Sequence, residues 1–212
     1  MDGAAHRYSA PLAQSFFSFV IIVARLARIV IPDVPHHVVQ RARPGLTLFA
    51  DDADYGEYKD MLERNLRGVR LVAACLMPDH VHLIAIPSAS DGLARMLGET
   101  RRLFARYKGL GPQGLWRGRY LSCPLDQAHA EAAIAYLSFN PVRAGLVEKP
   151  SDWKWLIGET SFESPADVRR IEVIRAATRT GRPAGDADFY ARIEYELGRS
   201  LKLRKRGRKA RW

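Results

Sequence analysis

The spacing of apolar residues predicts alternating strands and helices through the middle of the chain. Short runs rich in apolar and β-branched residues predict strands, which begin near position 37 and lie at 69–76, 81–86 and 120–125. Apolar residues three and four positions apart predict helices at 52–66, 91–108 and 126–140. Asp52 or Asp54 supplies a cap for the first helix, Asp126 caps the alanine-rich last helix, and Pro141 ends it.

The order of these elements predicts an α+β fold. Strand, helix, strand, strand, helix, strand and helix follow one another, which is typical of a ferredoxin-like antiparallel sheet with helices on one face. Two further helical patterns, at roughly 165–178 and 186–197, predict a small helical C-terminal extension. The chain therefore divides into an N-terminal extension at 1–26, a main domain at 27–150, a helical extension at 151–198 and a tail at 199–212.

An apolar run near the N-terminus, Phe16 to Ala24, resembles the core of a signal peptide. It contains nine residues, whereas a membrane-spanning helix needs about 20. We therefore expect this segment to dock as a short helix, and we expect no association with a membrane. The rest of the 212-residue chain is typical of a globular protein, with 47% hydrophobic and 26% charged residues.

The net charge of +10 is concentrated in two places. The tail from Arg199 to Trp212 contains eight basic residues and no acidic one, which leaves 25 of the 33 basic residues against 23 acidic ones. A second excess lies between Arg95 and Arg119, where seven basic residues are accompanied by Glu99 alone. Segregated positive charge indicates a polyanionic partner, although a solvated helix face and a frayed tail would carry the same pattern.

The cysteine content favours a reducing compartment. Cys75 and Cys123 are too few for a disulfide scaffold in a chain of this size, and no C-x-x-C pair is present for a zinc or redox site. We therefore expect a cytoplasmic protein.

The stretch M-P-D-H-V-H-L-I-A-I-P at 77–87 contains the most informative candidate site. Residues two apart in a strand project from the same face, about 6 to 7 Å apart, so His80 and His82 can aim both imidazoles at one metal ion. Two histidines make an incomplete site, and solvent-facing strand histidines are the simpler alternative. Histidine-triad nucleotide hydrolases use a similar strand, but they need a third histidine where this chain has Ile84.

The helix at 127–140 contains a second candidate pair. Tyr136 and Asn140 are four residues apart and therefore share one helical face. A tyrosine hydroxyl, with a reference pKa of about 10, needs a nearby cation or base to act as a nucleophile. A metal on the two histidines could polarise a phosphate, and the amide of Asn140 is a third ligand that magnesium or manganese accepts. A packing role for the tyrosine is the alternative, and Tyr107, Tyr120, Tyr190 and Tyr195 are competitors for the nucleophile.

Four segments carry a resemblance to a known family. In chain order they are M-P-D-H-V-H-L-I at 77–84, L-W-R-G-R-Y at 115–120, A-Y-L-S-F-N-P-V-R-A-G-L-V at 135–147 and T-G-R-P-A-G-D at 180–186. Together they resemble the REP-associated tyrosine transposases, which belong to the single-tyrosine branch of the His-hydrophobic-His (HUH) nuclease superfamily. The resemblance extends from about Ala27 to the C-terminus.

This resemblance implies a fold, a cofactor and a reaction. It implies a sheet like that of RNA-recognition motifs in an HUH catalytic domain at 27–150, with a divalent ion, Mg²⁺ or Mn²⁺, on His80 and His82. It places the nucleophile at Tyr136 and a metal-assisting residue at Asn140. The expected activity is cleavage and religation of single-stranded or hairpin-forming palindromic DNA through a 5′-phosphotyrosine intermediate.

The DNA partner is expected to contact the basic segments. Phosphate contacts supply affinity, and Trp116 could stack on an unpaired base, with packing in the core as the alternative role. The candidate DNA-binding residues are Arg101, Arg102, Arg106, Lys108, Trp116, Arg117, Arg119, Arg143, Arg204, Lys205, Arg206, Arg208 and Lys209. The protein is expected to be nucleoid-associated and to act as a monomer or a homodimer. The alternatives are a palindrome-binding protein without catalytic activity and a nucleotide phosphohydrolase.

Three positions depart from the family pattern. Asp79 stands where the family most often has Asn, and Arg41 is followed by Ala42 where R-G-N is usual. After the second tryptophan of the W-K-W segment, Leu156 and Ile157 replace the common serines. The first two departures bear on the metal and the DNA hairpin, and none removes an expected catalytic group.

Overall fold

The structure, a computed structural model, describes residues 28–162 and 167–201. The N-terminal extension at 1–26, with its apolar run, lies outside the described residues. Five candidate DNA-binding residues of the tail also lie outside them, namely Arg204, Lys205, Arg206, Arg208 and Lys209. The roles expected for these segments stay predictions.

Five strands, seven helices and one 3-10 turn, at Pro150–Asp152, make up the described part of the chain. The strands are β1 (His36–Arg41), β2 (Val69–Met77), β3 (His80–Pro87), β4 (Leu121–Pro124) and β5 (Leu156–Gly158). The helices are α1 (Asp52–Arg64), α2 (Gly92–Tyr107), α3 (Pro112–Leu115), α4 (Gln127–Ser138), α5 (Asn140–Arg143), α6 (Val168–Thr180) and α7 (Ala187–Leu197). Every element that the apolar pattern predicts is present, while β5 and the short helices α3 and α5 were not expected.

The five strands form one antiparallel sheet in the order β4-β1-β3-β2-β5. The first four strands with α1 and α2 follow the ferredoxin-like succession, and β5 adds an edge strand beside β2. β3 lies at the centre of the sheet, where Arg41 of β1 faces His80 and Val39 faces His82. The predicted histidine strand is therefore held on both sides by neighbouring strands.

Helices cover both faces of this sheet. α1 and α2 pack on one face, against residues such as Leu76 and Leu83, and α4 and α6 pack on the other, against residues such as Cys75 and Ile84. Successive residues of β2 and β3 are apolar on both faces, so each face needs a cover. The α+β class and the antiparallel sheet are confirmed, whereas the expectation that the helices of the main domain lie on one face is corrected, because α4 packs on the other.

The helical extension is packed into the rest of the molecule. Ile171 and Ile174 of α6 belong to the same apolar core as α4, and Phe189 of α7 packs against Ile29 near the start of the described chain. The carboxylate of Asp126, which caps α4, also accepts the backbone N–H of Asp186 that caps α7. None of the helices within residues 28–162 and 167–201 is long and apolar enough to cross a membrane.

A buried carboxylate joins the start of α1 to the end of α2. Asp54 is 5% exposed, and its Oδ2 accepts hydrogen bonds from the Ala50 N–H at 2.8 Å and from the Lys108 ammonium at 2.6 Å. Burial raises the pKa of Asp54, but the bonds from Lys108 and Ala50 outweigh burial, so the pKa lies below its ordinary value. The charge of this carboxylate therefore stabilises the fold.

Asp54→Asn is expected to lower the free energy of unfolding by about 2 kcal/mol at pH 7, because the amide keeps the shape and loses the charge. The pKa of Asp54 is lower in the folded protein than its ordinary value of 3.8, so this stabilisation is present above about pH 4 and disappears as pH falls further. Urea titrations of wild type and variant should converge toward low pH. A pH-independent difference, or an equal loss in the exposed-site control Asp60→Asn, would contradict this assignment.

Candidate active site

The two histidines of β3 lie side by side on the sheet face that α4 and α6 cover. Alternation along the strand places His80 and His82 on one face, and their ring centroids are 4.9 Å apart. His82 is 4% exposed, while the side chain of His80, near the strand end, is 15% exposed. The expected pairing of these imidazoles is present in the structure.

Tyr136 of α4 lies against this histidine pair within the same chain. Its ring centroid is 6.0 Å from that of His82, and the two rings meet edge to face at 81°. Tyr136 is 8% exposed because α4 packs closely on the sheet through its alanines. The fold therefore brings together the predicted nucleophile and the predicted metal ligands.

Two guanidinium groups flank the tyrosine. Arg175 of α6 donates hydrogen bonds from Nε and Nη2 to the phenol oxygen of Tyr136, at 3.2 and 3.0 Å. Arg143 lies over the phenol ring, with Cζ 4.1 Å from the ring centroid, and donates to the main-chain carbonyl of Tyr136 at 2.8 Å. Arg143 was expected to contact DNA, whereas Arg175 was not identified, since its place depends on how α6 packs.

Asn140, the predicted third ligand, is buried one turn after the tyrosine. Its side-chain oxygen accepts a hydrogen bond from Arg143. Its amide nitrogen is buried without a hydrogen-bond partner among the described residues. An amide oxygen has two lone pairs, so the bond to Arg143 leaves one lone pair that a metal ion can use.

The histidines of the site are kept neutral by burial. Burial lowers the pKa of His80, although the hydrogen bond to Asp79 opposes the shift, and burial together with neighbouring positive charge lowers the pKa of His82 well below its ordinary value. His37 of β1, which lies beside His82, has its pKa lowered to about 4 by burial. Neutral imidazoles are the form that binds metal ions.

The imidazoles of His80 and His82 are the metal donors that the structure brings together here, and the amide of Asn140 stays the predicted third ligand. Within the parts of the chain that the structure describes, no group of three or more His, Cys, Asp or Glu side chains could hold a metal ion. A site on His80 and His82 therefore depends on Asn140, on water or on substrate oxygens for its remaining ligands. This arrangement leaves open positions, as a catalytic metal site requires.

A basic cleft lies near the same end of the sheet. It has a volume of about 620 Å³, and its lining includes Arg43, Arg101, Gln113, Trp116, Arg117 and Arg119. The backbone N–H of Arg117 donates to the carbonyl of Arg41, and Arg41 faces His80 across the sheet. The cleft is therefore connected to the histidine site through one residue of β1.

The expected stacking of Trp116 on a base is corrected by its burial. Trp116 is 2% exposed, packs in the core of α1 and α2, and donates from its indole nitrogen to the carbonyl of Arg101 at 3.1 Å. Such a ring offers no free face to a base. Its contribution is to support the wall of the cleft and the backbone that carries Arg117.

The remaining basic candidates differ in how their charges are used. Arg102 makes two hydrogen bonds to Glu99, and Lys108 is paired with Asp54, so these two cations are largely neutralised within the protein. The side chains of Arg106, Arg117 and Arg119 are exposed. The exposed arginines around the cleft are therefore the better candidates for phosphate contacts.

Comparison with known proteins supports the family resemblance. No family model matches the chain. A protein of Haemophilus influenzae that carries the name REP-associated tyrosine transposase is 26% identical over 98 residues, which cover 40% of this chain and 56% of the relative. The chain thus spans about half the length of the curated relative that it matches.

Solved structures also resemble the fold. A REP-associated tyrosine transposase bound to a REP hairpin overlaps 68% of this chain and 97% of its own, with a TM-score of 0.56 and 18% identity, which shows a shared fold. A protein from Deinococcus radiodurans R1 described as a transposase covers 52% of this chain and 92% of its own, with a TM-score of 0.38 and 23% identity, a likeness too weak for inference. The resemblance that the motifs indicate is confirmed by the names of the sequence relative and of the first fold neighbour.

Proposed function

We propose that this protein is a metal-dependent DNA strand transferase that cleaves and rejoins single-stranded, hairpin-forming palindromic DNA through a 5′-phosphotyrosine on Tyr136. One observation carries the proposal: within one chain, the phenol of Tyr136 lies against His82 and its oxygen is held by Arg175. The names of the sequence relative and of the fold neighbour support this reaction, and the REP hairpin bound to that neighbour supports the substrate class.

The proposed step is an in-line displacement at phosphorus. The phenol of Tyr136 loses its proton to water, and its oxygen forms a new bond to phosphorus. The bond from phosphorus to the 3′ oxygen breaks, and that oxygen takes a proton from water to become a 3′-hydroxyl. Because the number of phosphate ester bonds is conserved, attack by a 3′-hydroxyl on the phosphotyrosine rejoins strands without ATP.

The arginines prepare the nucleophile for this step. Arg175 stabilises negative charge on the phenol oxygen, because both of its hydrogen bonds end there. Arg143 holds the main chain of Tyr136 and the amide of Asn140 in place. The two guanidiniums also place fixed positive charge where a phosphate has to dock.

His80, His82 and Asn140 are the residues that would hold the divalent ion. Bound there, the ion supplies neutralisation of charge on the non-bridging oxygens of the scissile phosphate. Two imidazole nitrogens and one amide oxygen suit Mn²⁺ better than Mg²⁺, which prefers oxygen ligands. We therefore propose Mn²⁺ or Mg²⁺ as the cofactor, with stronger binding of Mn²⁺.

A monomer suffices for this chemistry. Tyr136 lies beside its own His82 and its own Arg175, so every proposed catalytic group comes from one chain. We propose that cleavage uses this arrangement in cis, whether or not the protein also forms a homodimer. Its expected location at the nucleoid stays a prediction.

The test is incubation of the full-length protein with Mn²⁺ and oligonucleotide hairpins copied from inverted repeats that flank its coding sequence. A protein–DNA adduct that survives a denaturing gel, and that is absent when EDTA is added, is the expected result. Hairpin binding without an adduct would support a binding protein without catalytic activity. Hydrolysis of a free nucleotide without an adduct would support a phosphohydrolase, and either result would overturn the proposal.

The basic cleft is proposed to bind the phosphates of the hairpin stem. Replacing both Arg117 and Arg119 with Ala should weaken hairpin binding and reduce the slope of log affinity against log salt by about 1.8, since each lost phosphate contact contributes about 0.9. The control Arg192→Ala, on α7, removes a cation outside the cleft. A salt slope that is unchanged in the double variant would contradict this role of the cleft.

A further inference from the structure

Three hydrogen-bonded side chains, Thr178, His37 and His82, form a relay that connects α6 to the candidate metal site along the face of the sheet that α4 and α6 cover. Thr178 Oγ1 lies 2.8 Å from His37 Nδ1, and His37 Nε2 lies 2.9 Å from His82 Nδ1. The planes of the two imidazoles differ by 12° and their ring centroids are 5.1 Å apart, which is compatible with a hydrogen bond in the plane of both rings. Exposure is 5% for Thr178, 2% for His37 and 4% for His82, so water does not compete for these bonds.

The hydrogen bond that Thr178 donates, at the α6 end of the relay, determines which nitrogen of each imidazole carries the proton. The Thr178 hydroxyl donates its proton to the carbonyl of Ile174, at 2.7 Å, so its oxygen accepts from His37. His37 therefore carries its proton on Nδ1. A neutral imidazole has a single N–H, which makes Nε2 of His37 an acceptor. His82 consequently donates from Nδ1, and its own Nε2 carries no proton.

We propose that His37 and Thr178 are positioning residues that hold His82 in its Nδ1–H tautomer, with Nε2 free to bind a metal ion. The proposal deepens the proposed function and rests on it for the metal. In the opposite tautomer, Nε2 would carry the proton and could not bind a cation. The relay also orients the ring, and such partners raise the affinity of histidine for metals.

His80 is held by the same principle with a different partner. Asp79 Oδ1 lies 2.6 Å from His80 Nδ1, and an ionised carboxylate can only accept a hydrogen bond. The proton of His80 therefore lies on Nδ1 and its Nε2 is free. The Asn that is more common in the resembled family could bond to Nδ1 as donor or acceptor. Asp79 removes this ambiguity, so both histidines present the same nitrogen.

Variants of similar size test the relay in the full-length protein. His37→Gln supplies an acceptor group and a donor group, as the neutral imidazole does, whereas His37→Met supplies no donor and only a weakly accepting sulfur. Mn²⁺ binding, followed without DNA by electron paramagnetic resonance, should weaken about 10- to 100-fold in His37→Met and should be largely restored in His37→Gln. Circular dichroism checks that each variant is folded.

Thr178→Val and Thr178→Ser form a second pair, which serves if the His37 variants do not fold. Valine removes the hydroxyl that fixes the proton of His37, while serine keeps it, so valine alone should weaken Mn²⁺ binding. Affinity equal to wild type in the folded variants His37→Met or Thr178→Val would overturn the relay.

Long-range ¹H–¹⁵N spectra of the metal-free protein give a reading that does not depend on activity. The relay predicts a protonated Nδ1 and an unprotonated Nε2 on His82. The opposite tautomer would overturn the relay whatever the protein does to DNA. The expected tautomer together with no DNA adduct would leave the relay standing and contradict the proposed function instead.

Discussion

Replacing Tyr136 with Phe is expected to abolish the covalent protein–DNA adduct and to lower strand cleavage by at least about 10⁴-fold, the scale on which loss of a nucleophile acts. The substitution removes the one oxygen that forms the bond to phosphorus. That oxygen is also where Arg175 directs both of its hydrogen bonds, so charge stabilisation is lost with it. Rates and adducts are measured with the hairpin substrate and Mn²⁺.

A matched control separates this effect from general loss of a phenol. Tyr195 of α7 is 89% exposed, and Tyr195→Phe should keep wild-type activity. Hairpin affinity and thermal unfolding should be nearly unchanged in both variants, because phenylalanine preserves the ring that packs against His82. An adduct that persists in Tyr136→Phe would show that another residue is the nucleophile.

Replacing Arg175 with Gln is expected to lower kcat for cleavage by about 10²- to 10³-fold, with little change in hairpin affinity. The scale is that of removing one donor that stabilises developing charge. Glutamine retains a hydrogen-bond donor and loses the positive charge and the fork of two donors. Arg175→Lys should lie in between, because an ammonium restores the charge but not the paired geometry. Single-turnover cleavage at saturating protein measures the effect.

The control for Arg175 lies one turn later on the same helix. Arg179→Gln removes the same charge from α6 at an exposed position. If the two variants lost activity equally, Arg175 would act through the overall positive charge of α6 and not through the phenol oxygen. If cleavage by Arg175→Gln matched wild type, the proposed activation of Tyr136 would be wrong.

The part of the site that depends on local spacing is readable in the sequence. Two residues apart on a strand, His80 and His82 have to share a face, and the structure confirms that they do. The single helix predicted to carry both Tyr136 and Asn140 is interrupted, since α4 ends at Ser138 and Asn140 begins α5. Residue spacing alone does not predict that Tyr136 lies against the histidine pair. That expectation came from the family resemblance, and the packing of α4 on the sheet fulfils it.

The sequence did not predict the residues that reach the site from distant segments of the chain. Arg175 is 39 positions beyond Tyr136, and His37 is 45 positions before His82. Both contacts lie on the second face of the sheet, where β1 pairs with β3 and where α4 and α6 form the cover. The sequence did contain a pattern that predicts helices on both faces of the sheet. The V-A-A-C-L segment of β2 is apolar at successive positions and not only at alternate ones. Such a pattern indicates a strand buried on both sides.

The basic segment around Trp116 shows what residue composition leaves open. An aromatic residue among arginines is typical of a nucleic-acid surface, yet the indole is buried and the surrounding arginines carry the exposed charge. Composition identifies the region but does not distinguish a core anchor from a surface ring. Burial depends on α3 folding back over α2, a contact that the local pattern does not encode.

The central claim is that Tyr136 becomes covalently joined to a DNA 5′-phosphate, and peptide mapping of the trapped adduct tests it most directly. Trypsin releases residues 120–143 as one peptide that contains both Tyr120 and Tyr136, so the modified residue is located by fragmentation. The account predicts a nucleotide linked through its 5′-phosphate to Tyr136 when wild-type protein reacts with the hairpin and Mn²⁺. A nucleotide on Tyr120 or on any other residue, or a linkage through a 3′-phosphate, would contradict it.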